Sequence, residues 1–138
     1  MENMALIFGT ALVIYLLWPK IQSCFLFQKQ RDLPIRGLEE VVGRDKVDST
    51  MLLYFYSPNC GPCRKMSPRI DKLCADGLHI QKINVLEHRE FAVKAGVVGL
   101  PSVMLVQQGL LKRKILGSAS ERRLRHLLSS SEDVTQAA

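Results

Sequence analysis

Cysteine and histidine are scarce in this chain, and their scarcity removes two classes of protein. Four cysteines, at positions 24, 60, 63 and 74, are too few and too unevenly spaced for a fold stapled by disulfides. A structural zinc centre normally draws on two ligand pairs. Only one Cys-x-x-Cys is present here, and none of the three histidines makes a second pair with it. Aromatic residues are also sparse, at 7%. The net charge of +6 could suggest nucleic acid, but the bases fall in separate groups at 20–36, 64–72, 112–114 and 122–125. None of these is interleaved with aromatics as a nucleic-acid platform would be, so no nucleic-acid partner is expected. No internal repeat is visible, and 138 residues leave room for one core and one extra segment.

That extra segment is N-terminal. Residues 4–18 (MALIFGTALVIYLLW) carry no charge, and after Pro19-Lys20 a second mostly apolar stretch runs to Phe27. Fifteen residues fall short of the roughly 20 that span a hydrocarbon core, but a helix continuing toward Phe27 is long enough. A cleaved signal peptide needs a basic start and a small-residue cleavage site, whereas Glu2 is the only early side-chain charge. A lipoprotein box ending at Cys24 is poorly matched by Gln22. An uncleaved membrane anchor over 4–27, contacting lipid, is therefore the expectation. Its alternative is a buried or interfacial helix with Tyr15 and Trp18 near a headgroup boundary. Just after the charge-free stretch 4–18 come Lys20, Lys29, Arg31 and Arg36 against Asp32 alone, an excess that favours the cytoplasmic side over the exported one for the rest of the chain.

Residues 28–32 read as linker, and 33–35 as a short edge strand. A short helix over 38–42 is expected to end at Gly43. Residues 50–56 (TMLLYFY) are too short a run for a helix and rich in aromatics, which predicts a buried strand. From Cys60 to about Asp76, Met66, Ile70 and Leu73 recur at helical spacing until Gly77. A strand over 80–85 and a helix over 89–95 come next. Residues 103–106 and 110–116 flank Gly109 as an antiparallel pair. A closing helix over 120–128, capped by Ser120, sets leucines on one side and arginines on the other. Residues 129–138 read as a disordered tail. The order predicts a mixed α/β sheet covered on both faces.

This order puts Cys60 where a buried strand turns into a helix. Unpaired N–H groups and the helix dipole favour an anion there, so a thiolate is stabilised. Cys63 lies one turn further in, within reach of a small disulfide ring. A disulfide closing so short a loop removes little unfolded-state entropy, so a redox couple is the better reading.

On Cys60-Gly61-Pro62-Cys63, Pro68, Lys82-Ile83-Asn84, Gly99-Leu100-Pro101-Ser102, Gly109 and Gly117, the chain resembles the thioredoxin family over about residues 33–128. The resemblance implies a thioredoxin-like three-layer sandwich with a mixed central sheet, here preceded by the membrane helix. It implies that Cys60 attacks and Cys63 resolves, with no metal or organic cofactor beyond the Cys60–Cys63 disulfide. It also implies a cis Pro101 that sets the Leu100 backbone beside the cysteines, with Gly61, Pro62, Leu100 and Pro101 binding substrate.

Two positions depart from the family pattern. Asn59 stands where a Trp is usual, and Tyr54 where a buried Asp is usual, so Lys82 is expected to lack its carboxylate. Tyr54, Asn59 and Lys82 are the positions expected to tune the couple, with Tyr54 mainly a packing residue. The function expected is a membrane-tethered thiol–disulfide oxidoreductase that reduces protein disulfides and is recharged by an upstream dithiol or reductase. The alternative is a redox-weak module holding a membrane partner through the Pro101 groove. Cys74 is expected to be half-buried and idle.

Overall fold

The computed structural model describes Tyr15 and residues 33–135, with side chains to residue 130. The anchor expected over 4–27 and the linker over 28–32 lie outside the described residues, Tyr15 aside. No helix among the described residues is long and apolar enough to cross a membrane.

Five strands form one sheet in the order β1-β5-β4-β2-β3. They are β1 (Leu33–Pro34), β2 (Met51–Tyr56), β3 (Ile80–Asn84), β4 (Ser102–Gln107) and β5 (Leu110–Leu116). Only β2 and β3 run parallel, joined by the helix α2 (Gly61–Ala75); the other pairs are antiparallel. The remaining helices are α1 (Leu38–Val42), α3 (Arg89–Lys94) and α4 (Glu121–Thr135), with a 3-10 turn at Arg44–Lys46.

The apolar run of β2 serves two cores, because successive side chains point to opposite faces of a strand. Leu53 and Phe55 join Leu38 and Val42 of α1 and Phe91 and Ala92 of α3 on one face. Leu52 and Tyr54 join Met66, Ile70 and Leu73 of α2 and Leu124 and Leu127 of α4 on the other. Helices on both faces make the three layers expected from the sequence. The β4–β5 hairpin closes through Gln108 and Gly109, both at positive φ (51° and 72°), the backbone that two-residue hairpin loops favour. A Cβ on Gly109 would also come within 3.3 Å of Val47 Cγ1.

The expected tail is corrected over 129–135, where α4 continues to Thr135. No glycine or proline interrupts that stretch, and Ser129 and Ser130 are accommodated. The Ser130 hydroxyl donates to the His126 carbonyl at 2.7 Å, and the Ser129 hydroxyl to the same oxygen at 3.3 Å.

Candidate functional site

After Tyr56 the chain leaves β2 and turns. The Cys60 N–H donates to the Ser57 carbonyl at 3.1 Å, and Asn59, exposed, is tied by its own N–H to the Ser57 hydroxyl. Cys60 then caps α2, with an extended backbone (φ −87°, ψ 115°) and its sulfur accepting from the Cys63 N–H at 3.3 Å. Pro62 suits this first turn, where no intrahelical partner exists for an N–H. The two cysteines are joined by a disulfide, their Cα atoms 5.2 Å apart. They differ in access: Cys63 is 1% exposed, whereas Cys60 is half-buried and flanked by exposed Gly61 and Pro62. No acidic residue sits in the first turn of α2, and Arg64 and Lys65 follow directly, so the local field favours negative charge on sulfur.

Strand register brings the Pro101 loop to the same end of the sheet. Phe55 near the end of β2 pairs with Ser102 at the start of β4, directly after Pro101. The Leu100–Pro101 peptide is cis. The loop is held by the Gly117 N–H donating to the Pro101 carbonyl at 2.8 Å and by the buried Ser102 hydroxyl donating to the Gly99 carbonyl at 2.7 Å. Leu100 is half-buried and Pro101 buried, while Val98 is 79% exposed beside them.

Tyr54 lies under this turn, fully buried, with its ring stacked on Tyr56 at 5.5 Å. Its hydroxyl donates to the Cys63 carbonyl and pairs with the Ser67 hydroxyl, each at 3.2 Å. Burial raises its pKa above the ordinary 10.0, so at neutral pH it is a neutral donor. Lys82, opposite Tyr54 across the β2–β3 pair, does not lack a carboxylate as expected. Its Nζ meets Asp71 Oδ1 at 2.7 Å, and that hydrogen bond raises its pKa. The partner comes from α2 instead of from β2.

Ser67 and Asp71 are the residues sequence reading missed. Their signal was present: they lie four and eight residues after Cys63, along one side of a helix already assigned. Cys74 is half-buried as expected, with burial raising its pKa first and Asp71 adding to the rise. It lines a cleft of about 380 Å³ with Met51, Leu78, His79 and Ile80, at the opposite end of β2 and β3 from the disulfide. Among the described residues, no group of three or more His, Cys, Asp or Glu side chains is placed to hold a metal ion.

The thioredoxin family model matches residues 39–130. A thioredoxin from Pseudomonas aeruginosa is 29% identical over 89 residues, covering 62% of this chain and 82% of that protein. One from Bacillus subtilis is 26% identical over 98 residues, covering 69% of this chain and 94% of its own length. Among solved structures, a mutant thioredoxin from Halobacterium salinarum superimposes with a TM-score of 0.59 at 29% identity. That match covers 67% of this chain and 80% of the other.

Proposed function

This chain belongs to the thioredoxin family and is a thiol–disulfide oxidoreductase, and we propose that it reduces disulfides of other proteins while tethered to a membrane. One observation carries the direction of attack. Cys60 is the accessible sulfur and already accepts the Cys63 N–H, whereas Cys63 is shut behind it. In the reduced protein, the Cys60 thiolate attacks one sulfur of a substrate disulfide. The substrate S–S bond breaks, a mixed disulfide forms, and the departing substrate sulfur takes a proton. Cys63 then gives up its proton and attacks the Cys60 sulfur, which closes the Cys60–Cys63 bond and releases the second substrate thiol. Two electrons pass from the dithiol to the substrate. An external dithiol or reductase restores the pair, and no metal or organic group is needed for the balance.

In this reading Gly61 and Pro62 bind substrate beside the cysteines together with Leu100 and Pro101, whose loop lies at the same end of the sheet. An extended substrate would add strand-like hydrogen bonds along the Leu100 backbone. Asn59 leaves the rim polar where family members carry a Trp. The tether rests on residues 4–27, and the basic excess after the charge-free stretch 4–18 favours the cytoplasmic side.

The full chain in detergent should accelerate insulin reduction by dithiothreitol. A rate equal to dithiothreitol alone overturns the reading and leaves a binding module at the Pro101 groove.

A further inference from the structure

We propose that Tyr54 and Ser67 are positioning residues for the Cys60 nucleophile, clasping the first turns of α2 onto β2 so that the Cys63 N–H stays aimed at Cys60 Sγ. The proposal rests on the dithiol reading of the site and names the groups that sharpen it.

The clasp is built at one helical turn. In an α-helix the carbonyl of residue 63 and the N–H of residue 67 belong to the same hydrogen-bonded ring. The Tyr54 hydroxyl reaches both ends of that ring, donating to the Cys63 carbonyl at 3.2 Å and meeting Ser67 Oγ at 3.2 Å. Since the phenolic proton goes to the carbonyl, the Ser67 hydroxyl donates to Tyr54 Oη. A helical serine ordinarily turns its hydroxyl back to the carbonyl four residues earlier. Here that carbonyl is Cys63's, and Tyr54 takes it instead. Phenylalanine would fill the same buried space with no polar atom to satisfy, so the hydroxyl contributes something other than packing.

What it contributes is read on the far side of the same residue. The Cys63 N–H donates to Cys60 Sγ at 3.3 Å. Pro62, immediately before it, has no N–H to offer, so the Cys63 amide matters more to the sulfur at this cap. The Cys63 N–H lies in the preceding peptide plane, so with helical φ and ψ at residue 63, holding its carbonyl steadies the direction of its N–H. A hydrogen bond to a thiolate is stronger than one to a neutral thiol, so this aim favours the reactive form of Cys60.

Neither clasp residue carries charge at neutral pH. The ionisable groups facing Tyr54 are Lys82 of β3, Asp71 of α2 and Tyr56 of β2. Substitution at Tyr54 or Ser67 alters none of them, nor Arg64 or Lys65 beside the cysteines. A change in Cys60 titration therefore reports the hydrogen-bond chain and not a lost charge.

The test uses the reduced full-length protein in detergent. Alkylation by iodoacetamide is followed at each cysteine by peptide mass mapping across pH, which separates Cys60 from Cys24, Cys63 and Cys74. In Tyr54→Phe and in Ser67→Ala, the Cys60 midpoint should rise by about half to one pH unit, with a three- to tenfold slower rate below it. Ser67→Thr keeps the hydroxyl and should stay near wild type. The double variant should lose no more than either single one, because both break the same clasp. Alanine is a good helix former, so Ser67→Ala guards against a loss that merely reflects misfolding. Single-variant midpoints equal to wild type, or additive losses in the double variant, overturn the clasp. If the wild type itself neither titrates below an ordinary thiol nor reduces insulin, it is the dithiol reading that fails.

Discussion

Lys82 Nζ stands 2.7 Å from Asp71 Oδ1 and 5.4 Å from the centre of the Tyr56 ring, tying the middle of β3 to the third turn of α2. The pair is open to solvent, with side chains 34% and 58% exposed, so it stabilises the fold by less than about 1 kcal/mol. The pKa of Lys82 is raised in the folded protein, chiefly by this hydrogen bond, so the protonated amine favours folding. That contribution is complete below the ordinary value of 10.5 and is lost as pH rises through the higher folded value. Asp71→Asn should therefore shift urea melts slightly at pH 7, and the gap from wild type should close as pH is taken above 10.5. A gap that persists there points to a role for Asp71 other than pairing.

The two cysteines should fail differently. Cys60→Ser removes the attacking sulfur and should abolish insulin reduction. Cys63→Ser leaves attack intact but removes the resolving sulfur, so mixed disulfides should accumulate on non-reducing gels. Retained activity in Cys60→Ser would reverse the assigned roles.

Tyr54 is neutral and cannot take the Cys63 proton, so resolution should be slow relative to first attack. Tyr54→Asp supplies a base beside Cys63 and should speed resolution by at least about tenfold. The same change breaks the clasp and buries a carboxylate, so first attack should slow and stability should fall by about 2 kcal/mol or more. Stopped-flow traces separate the two steps; equal or slower resolution in the variant rules out proton removal as the bottleneck.

Neighbouring positions on α4 should differ sharply. Leu124 is fully buried between α2 and the sheet, and Leu124→Ala should cost about 2–5 kcal/mol in chemical denaturation. Arg125 pairs with Asp76 at the surface, and Arg125→Ala should cost less than about 1 kcal/mol. Comparable losses would mean the exposed pair anchors the helix.

How much of this was legible depends on the range of each signal. The β2 run, the Gly109 turn and the Ser120 cap are local patterns, and each appears where the sequence places it. The cysteine pair is equally local. Asp71 with Lys82, and Tyr54 with Ser67, are not. Each joins a helix to a strand, and the roll of α2 on the sheet decides which side chains meet. That roll is set by Met66, Ile70 and Leu73 packing against β2 and β4, a fit that periodicity alone does not measure. The extension of α4 was missed for another reason: a serine-rich stretch resembles a loop in composition, and only the hydroxyl-to-carbonyl bonds show how a helix absorbs it.

Because β2 alternates between two cores, this enzyme can go wrong in a particular way. A slip of one residue against β3 and β4 would exchange the two sets of buried side chains. Leu53 and Phe55 would face α2, and Tyr54 would point away from Cys63 toward α1 and α3. Such a misfolded form would lose the contact beneath the reactive turn. In this chain a pairing error in the sheet would therefore strike the reactive turn and the two cores together, because the Tyr54 hydroxyl would be buried away from the Cys63 carbonyl and Ser67.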